Sequence, residues 1–345
     1  MKSVFCGTPS FAVPTLEALL AAGHEIALVV SQPDRPVGRG QQLTAPPVKQ
    51  AAMAAGLPVT QPEKIRNNAE FRAQLEAIAP DAIVVVAYGR IIPPWMLALP
   101  RLGCINLHGS LLPKYRGAAP IQWAVAMGDA FTGNTTMLLE EGLDTGPILL
   151  QQTVEIGPDE TAVDLFETLA HKGAPLVVET LAGLAAGTIQ PQSQNHSFAT
   201  FAPILDREDG RIDFVGRSAR EIYNRWRGFQ PWPGAFTTLE GKKLILHRMV
   251  PADACELDQA GSRPGQIHVA KGRLFAACAA NSWIEMLEVQ LEGKKRLSSA
   301  EFLRGTALGE GARVGEQTSR PAPRRVRRRI ARRHFRRRAK LHSKC

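Results

Sequence analysis

The chain of 345 residues is 44% apolar and 21% charged, which suits a globular protein with two domains of about 100–200 residues each and excludes fibrous and low-complexity proteins. No apolar run reaches the ~18–20 residues that a membrane helix needs, so we expect no membrane association. The net charge of +10 does not by itself indicate nucleic-acid binding, because residues 311–345 hold 14 Lys and Arg against one Glu, whereas the other 310 residues have a balance of −3.

The first half of the sequence alternates apolar strands with helices. Strands are predicted for KSVFC (2–6), IALVV (26–30), DAIVVVAYG (81–89), CINLH (104–108) and TTMLLE (135–140). Helices are predicted after Pro9, with Pro14 in the first turn, and over 48–55, 69–79, 120–127 and 161–187. Unbroken apolar strands are typical of a sheet covered on both faces. This half therefore predicts an α/β domain with a mostly parallel sheet, which binds ligands beyond the carboxyl ends of its strands.

The pattern changes after about residue 205. A short helix is predicted over 217–228, followed by strands over 235–240, 243–249, 265–270, 274–279 and 283–291, with Gly and polar turns between them. Short strands of this kind predict a small all-β barrel. We therefore expect an N-terminal domain over 1–189, a linker over 190–207, a β-barrel domain over 208–310 and an Arg-rich tail over 311–345, which we expect to be disordered in isolation.

Two polar side chains lie at the end of the strand CINLH. Alternate side chains of a strand share a face, so Asn106 and His108 are predicted to point together, away from Ile105 and Leu107. Because they precede Gly109 at the end of the strand, both side chains would face a site above the sheet. The alternative is an ordinary polar pair at the surface end of a strand.

A carboxylate lies in the loop that follows the strand TTMLLE. Asp144 is bracketed by Gly142 and Gly146, which permit a tight backbone path. An aspartate near glycines is usually a turn residue. A nearby imidazole favours a functional interpretation, because a carboxylate beside an imidazole stabilises its charged form.

An amide, an imidazole and a carboxylate together suit acyl transfer to an amine. In such a reaction the carbonyl oxygen becomes an oxyanion, which a fixed amide and a protonated imidazole can stabilise, and losing one such donor costs about 10²–10³ in rate. A carboxylate can orient the imidazole and help to move protons. No Ser or Cys nucleophile is needed, because the substrate amine attacks.

Several other kinds of site lack their sequence patterns. The chain has no GxxxxGK[ST], its first strand is not followed by GxGxxG, and no HExxH or other dense metal spacing occurs, so we expect no metal. Its five cysteines are scattered, and MKSVFCGTPS does not have the layout of a signal peptide. We therefore expect reduced cysteines and a cytoplasmic location.

Nearly all of residues 1–310 resembles the methionyl-tRNA formyltransferase family. The resemblance is carried by FCGTPSFAVPTLEALL, SQPDRPVGRGQQLTAPPVK, VVVAYGRIIP, GCINLHGSLLPKYRGAAPIQWA and EEGLDTGPIL. It implies a Rossmann-like catalytic domain in which Asn106, His108 and Asp144 are catalytic. It also implies that the formyl donor, 10-formyltetrahydrofolate, is held at Ser110, Leu111, Leu112 and Pro113, with Tyr88, Gly89, Arg90 and Ile91 nearby.

The same resemblance implies how a tRNA acceptor is held. Residues 31–49 form an insert that reaches the acceptor stem in this family, with Arg35, Arg39 and Lys49 as the candidate contacts; taken alone, such a loop is more often simply solvated. DGRIDFVGRSAREIYNRWRGFQPWPGAFT resembles the family's entry to an oligonucleotide-binding type of barrel. Residues 206–310 have a charge balance of +2 and residues 1–205 one of −5, a modest signal for tRNA contact. Trp226, Phe229 and Trp232 are expected to be packing residues rather than base-stacking platforms.

The predicted reaction is formyl transfer from 10-formyltetrahydrofolate to the α-amino group of initiator methionyl-tRNA, by a monomer without an obligatory protein partner. Two alternatives stay open: a formyltransferase for a small amine such as an amino sugar, and an inactive RNA-binding relative. The tail departs from the family pattern. It is a nucleic-acid-binding extension, a shifted reading frame or unrelated disorder, and its abrupt change to Arg-rich composition favours the last two.

Overall fold

The computed structural model describes residues 1–38, 40–252, 262–309 and 311–315. The prediction for the tail beyond 315 therefore lies outside the described residues. The strands of the first part of the chain are β1 Lys2–Gly7, β2 Glu25–Val30, β3 Arg35–Val37, β4 Gln42–Thr44, β5 Val59–Thr60, β6 Ala82–Val86, β7 Cys104–His108, β8 Arg116–Gly117, β9 Phe131–Leu138, β10 Ile148–Glu155 and β11 Phe201–Ala202. Its helices are α1 Val13–Ala21, α2 Pro47–Ala54, α3 Ala69–Ile78, α4 Pro94–Leu97, α5 Pro120–Ala126 and α6 Ala162–Ala186.

Seven of these strands form one sheet in the order β10-β9-β7-β6-β1-β2-β5. The five strands from β7 to β5 pair in parallel, and β9 and β10 add antiparallel at one edge. The chain reverses direction across the sheet between β1 and β6, which is where ligands bind in sheets of this kind. The predicted α/β fold with a mostly parallel sheet is confirmed.

The two faces of this sheet are covered by different helices. One face buries Val29, Val84 and Ile105 against α1 and α6. The other buries Val30, Ile83 and Val85 against α3 and α4. Because both faces are covered, the strands read as continuous apolar runs.

The antiparallel edge of the sheet differs most from the sequence prediction. β9 begins at Phe131 rather than 135, and β10 was not predicted at all. The first half of β9 contains Gly133 and Asn134, which do not look like a buried strand in sequence. Asn134 is nevertheless fully buried, and its Nδ2 donates to the carbonyl of Leu169 in α6 at 2.9 Å.

The second part of the chain forms an antiparallel β domain, which confirms the prediction that it is all-β. Strands β12 to β16 pair in the order β12-β13-β16-β15-β14, and β17 pairs with β16. Residues of α7, β13, β15 and β16 share one apolar core, and Phe275, Ala277 and Trp283 form a second, smaller cluster. The elements are α7 Ala219–Gly228, β12 Phe236–Leu239, β13 Lys242–Ala252, β14 Ile267–Ala270, β15 Arg273–Cys278, β16 Ser282–Leu291, β17 Leu297–Ser298 and α8 Ser299–Gly305.

The last described residues join the two outer edges of this antiparallel sheet. The amide of Gly315 donates to the carbonyl of Thr238 in β12, and the amide of Val314 donates to Gly265, before β14. The side chain of Val314 is buried in the domain core. The domain therefore includes residues beyond 310, where the sequence analysis placed its end.

Helix α7 connects the two domains. Its Arg227 donates from Nη1 to the carbonyl of Gly157 at 3.0 Å, and the hydroxyl of Tyr223 donates to Asp159 at 3.0 Å. Phe229 is buried edge-on against Trp123 of α5, and Trp226 stacks on Tyr223. Trp232 is exposed, unlike the packing role expected of it.

Among the described residues, no helix is both long enough and apolar enough to cross a bilayer.

Candidate active site

The candidate site lies where β6 and β7 end side by side. These strands are parallel, with Val86 opposite Leu107, so the segments that follow both of them emerge at one edge of the sheet. Residues 88–91 come shortly after β6, and residues 110–113 come shortly after β7. The two segments predicted to hold the donor are thus neighbours.

Asn106 and His108 share one face of β7, as strand periodicity predicts. Ile105 and Leu107 point the other way into the core beside α6. His108 is buried, whereas Asn106 is partly exposed and its side chain has no hydrogen-bond partner within the described residues. The amide of Asn106 is therefore available to a ligand at the strand end.

One ring nitrogen of His108 already makes a hydrogen bond within the protein. Its Nε2 lies 2.9 Å from the carbonyl oxygen of Tyr115, which can only accept, so Nε2 carries the proton. This leaves Nδ1, which lies 3.9 Å from Oδ2 of Asp144. The Nδ1 atom is therefore the ring nitrogen that faces the carboxylate.

Asp144 is held in an unusual backbone conformation. Its φ of +50° is in the left-handed region, which aspartate tolerates better than most residues. Its Oδ2 accepts a hydrogen bond from the amide of Gly117 at 2.8 Å. Gly146 is required because a Cβ there would lie 1.8 Å from the carbonyl oxygen of Leu138. The glycines around Asp144 thus permit the close approach that brings it to His108.

The backbone of 115–117 supports both members of this pair. It supplies the carbonyl that holds His108 and the amide that holds Asp144. This segment is in turn paired in parallel with β11, and Tyr115 donates its amide to Oγ1 of Thr200 at 2.8 Å. Gly117 has φ of +125°, and a Cβ there would lie 2.5 Å from the carbonyl oxygen of Ala202. Residues 200–202 of the predicted linker therefore support the segment that binds His108 and Asp144.

The loop 110–113 is fixed by a residue that sequence reasoning missed. Thr135 is fully buried opposite His108, and its Oγ1 donates to the carbonyl of Ser110 at 2.6 Å. The same oxygen accepts from the amide of Leu112 at 3.1 Å and from Nε2 of Gln151 at 2.9 Å. The Ser110 hydroxyl is buried and donates to Lys114, so it is used within the loop.

Thr135→Val is expected to destabilise the protein by about 1–3 kcal/mol, because the change keeps the shape but leaves buried hydrogen-bonding groups unpaired. The melting temperature would fall by about 2–4 °C for each kcal/mol of lost unfolding free energy. Thr132→Val is the matched control, since this buried hydroxyl of the same strand has no hydrogen-bond partner among the described residues. Equal melting temperatures for the two variants would contradict the assignment.

The residues after β6 offer backbone and apolar surface rather than polar side chains. Tyr88 is buried, and burial raises the pKa of its hydroxyl. Its carbonyl accepts from Thr8 and Gln32, and Arg90 is turned away to donate to Glu63. Gly89 is exposed, and Ile91 is 91% exposed. The exposed Ile91 side chain, near the carboxyl end of β6, offers an apolar surface that suits the face of a flat heterocyclic ligand.

The predicted tRNA contacts differ in availability. Arg35 lies in the exposed hairpin of β3 and β4, with one bond from Nη2 to Gln32 at 3.1 Å. Lys49 instead binds both carboxylate oxygens of Asp34, at 2.8 and 2.9 Å, and Oε1 of Gln61 at 2.7 Å. The Lys49 bonds lower the pKa of Asp34. Arg39 lies outside the described residues.

No group of three or more His, Cys, Asp or Glu side chains able to hold a metal occurs within the described ranges. Of the cysteines, Cys6, Cys104 and Cys278 are buried and free.

Comparisons with known proteins identify the family of both halves of the chain. Residues 1–181 match the model of the formyl transferase family, and residues 204–307 match the model of the formyl transferase C-terminal domain. The methionyl-tRNA formyltransferase of Acidobacterium capsulatum is 68% identical over 91% of this chain and 100% of its own length. That of Koribacter versatilis is 56% identical over 92% of this chain and 100% of its own length.

A solved structure shows the same fold at low sequence identity. It is the N-formyltransferase from Helicobacter canadensis in complex with folinic acid and dTDP-3-aminofucose, with a TM-score of 0.60 and 18% identity over 83% of this chain and 98% of its own. Together with the family matches over both domains, the relatives confirm the resemblance seen in the sequence. The chain belongs to the formyl transferase family, among the methionyl-tRNA formyltransferases.

Proposed function

We propose that this protein transfers the formyl group of 10-formyltetrahydrofolate to the α-amino group of initiator methionyl-tRNA, in the cytoplasm. The observation that carries the proposal is the pairing of His108 Nδ1 with Asp144 Oδ2 at 3.9 Å, beside the free amide of Asn106. The formyl donor supplies an activated carbonyl carbon. The chain's own residues supply the donors and the base that transfer to an amine requires.

The proposed roles follow from the hydrogen bonds. Since Nε2 of His108 is held by Tyr115, a proton on Nδ1 is the one that can stabilise negative charge on the formyl oxygen. The Nδ2 atom of Asn106 donates to the same oxygen. Asp144 accepts from Gly117 with one oxygen, which fixes the carboxylate where it can receive the proton that the attacking amine loses. As the bond between the formyl carbon and N10 of the donor breaks, this proton passes to N10, and tetrahydrofolate leaves. Burial of His108 limits competition from water.

The donor is proposed to lie across the ends of β6 and β7. Ser110, Leu111, Leu112 and Pro113 would contact it on one side, and Tyr88, Gly89, Arg90 and Ile91 on the other. The exposed Ile91 side chain and the backbone at Gly89 fit a flat heterocycle. The buried hydroxyls of Tyr88 and Ser110 do not, so these residues would act through their backbone.

The acceptor is proposed from the named relatives at 46–68% identity together with the insert loop and the C-terminal domain. An amino sugar as the acceptor is less favoured, because the structural neighbour in complex with dTDP-3-aminofucose is only 18% identical to this chain. An inactive RNA-binding relative is not favoured either, because the three groups that the reaction needs are together at one strand end.

The test is a formylation assay of the full chain with 10-formyltetrahydrofolate and either charged initiator tRNA or nucleotide-linked amino sugars. We expect N-formylmethionine on the tRNA, measured by mass spectrometry after ester hydrolysis, and no formylated sugar. Formylation of the sugar alone would overturn the proposed acceptor. RNA binding without formylation of either substrate would favour an inactive relative.

Arg35→Ala is expected to raise KM for the tRNA several-fold while kcat with saturating tRNA stays the same. The reason is that an exposed cation in the insert would neutralise one backbone phosphate, so the slope of log affinity against log salt should fall by about 1. Arg66→Ala is the control, because Arg66 is an exposed arginine outside the insert. An unchanged KM and salt slope would remove Arg35 from the contact surface.

A further inference from the structure

A buried pair of polar side chains lies behind the Asp144 loop, outside the groups that touch substrates in the proposed mechanism. Arg116 and Gln194 are 4% and 5% exposed, although they are 78 residues apart in the chain. Gln194 belongs to residues 190–207, which the sequence predicts to be a linker. Burial of such strongly polar groups is costly unless every hydrogen bond is made.

Gln194 makes every hydrogen bond that its amide allows. Its Nε2 donates to the carbonyl of Asp144 at 2.9 Å and to that of Gly146 at 2.7 Å. Its Oε1 accepts from Nε of Arg116 at 3.1 Å and from Nη2 at 2.5 Å. Carbonyls only accept and a guanidinium only donates, so one orientation of the amide satisfies all four contacts.

Arg116 is fixed independently of Gln194. Its Nη2 also donates to Nδ1 of His196 at 3.0 Å, and its backbone amide donates to Thr200 at 2.8 Å. Burial lowers the pKa of the guanidinium, while the negative charges of Asp144 and Glu140 act in the opposite direction. The Arg116 guanidinium is thus also held by His196, and it binds the side-chain oxygen of Gln194.

The hydrogen bonds of Gln194 constrain the backbone around Asp144. Its φ of +50° lies in the left-handed region, which is sparsely populated by residues other than glycine, and the Gln194 amide donates to the carbonyls on either side of Thr145. The carboxylate of Asp144 stands 3.9 Å from His108, so a small rotation of this backbone would separate the pair.

We propose that Gln194, held by Arg116, is a positioning residue that fixes the Asp144 loop so that the carboxylate meets Nδ1 of His108. Gln194 touches no reacting group and acts only through Asp144. The inference rests on the proposed function and deepens it by giving the segment before the C-terminal domain a role in formyl transfer.

The test is a double-mutant cycle between Gln194→Met and Asp144→Asn, measured by steady-state formylation with the full chain. Methionine keeps the length of the side chain and removes all four hydrogen bonds. We expect kcat to fall about 10–10²-fold, as small misplacements of reacting groups do, while KM for both substrates changes less than about twofold. In the Asp144→Asn background the same change should have almost no effect on kcat, because the carboxylate that it aligns is already gone.

Gln192→Met is the matched control. Gln192 is exposed, lies two residues away and contacts Ile148 through its backbone alone, so both kinetic constants should stay at wild-type values. If Gln194→Met fails to fold, the pair Arg116→Met with Gln194→Met replaces it, since removing both partners of a buried polar contact costs less stability than removing one. That double variant should fold and still show the low kcat.

The outcomes separate this proposal from the proposed function. Equal losses of kcat from Gln194→Met in both backgrounds, or wild-type kcat in a folded variant, would overturn the positioning role alone. Wild-type turnover in Asp144→Asn itself would instead overturn the proposed catalytic mechanism.

Discussion

His108→Ala is expected to lower kcat for formyl transfer by about 10²–10⁴-fold, the range found when a catalytic imidazole or an oxyanion donor is removed. The change removes Nδ1, which is the only ring nitrogen left free by the bond to Tyr115. It also leaves Asp144 without its imidazole partner. Rates are to be measured under single-turnover conditions, so that slow product release does not hide the chemical step.

The folded state should survive this change. His108 lies at the end of β7 and makes one hydrogen bond to a carbonyl, so its loss should cost about 1–3 kcal/mol. His171→Ala is the control, because His171 is an exposed histidine on α6. Turnover close to wild type in His108→Ala, with normal circular dichroism, would sink the mechanism.

Asp144→Asn is expected to reduce kcat by about 10²-fold or more through the loss of one negative charge, the effect of removing a general base. Asparagine tolerates the left-handed backbone as well as aspartate does and keeps an oxygen that can accept from Gly117. The loop should therefore stay in place. Such a loss would come from the missing charge rather than from a displaced backbone.

The control for Asp144→Asn is another carboxylate of the same loop. Glu141 is exposed and three residues away, so Glu141→Gln should leave kcat and KM unchanged. Crystal structures of both variants would show whether the distance from residue 144 to His108 is kept. If the two variants lose activity equally, the effect belongs to the charge of the loop and not to Asp144.

Local patterns predicted most of the fold. Helix α6 was expected over 161–187 and spans Ala162–Ala186, since Thr161 caps its start and Gly187 ends it in the left-handed conformation. The strands of the C-terminal domain fall close to their predicted positions. β10 was missed because it is an edge strand with one exposed face, and its alternation of apolar and polar residues is weak.

The candidate site was only partly readable from sequence. Strand periodicity placed Asn106 and His108 on one face, and the family pattern pointed to Asp144. The supporting groups Thr135 and Gln194 carry no local signal, because their contacts join residues that are 25 and 78 positions apart. Arg116 lies within a string that carries the family resemblance, but its bond to Gln194 is visible only in the fold. In the sequence, Gln194 looks like an ordinary linker residue in a polar stretch. Only in the folded chain does it meet two carbonyls and a guanidinium.

The joining of the C-terminal sheet by its last described residues has a practical consequence. Val314 and Gly315 cover the free edges of β12 and of the segment before β14. A chain cut at 310 would leave the carbonyls of Thr238 and Gly265 and the amide of Ile267 without these partners, and unpaired backbone groups at a sheet edge can pair with other molecules. A shortened version made to remove the Arg-rich tail should therefore keep Gly315, or it risks aggregating for reasons unrelated to RNA.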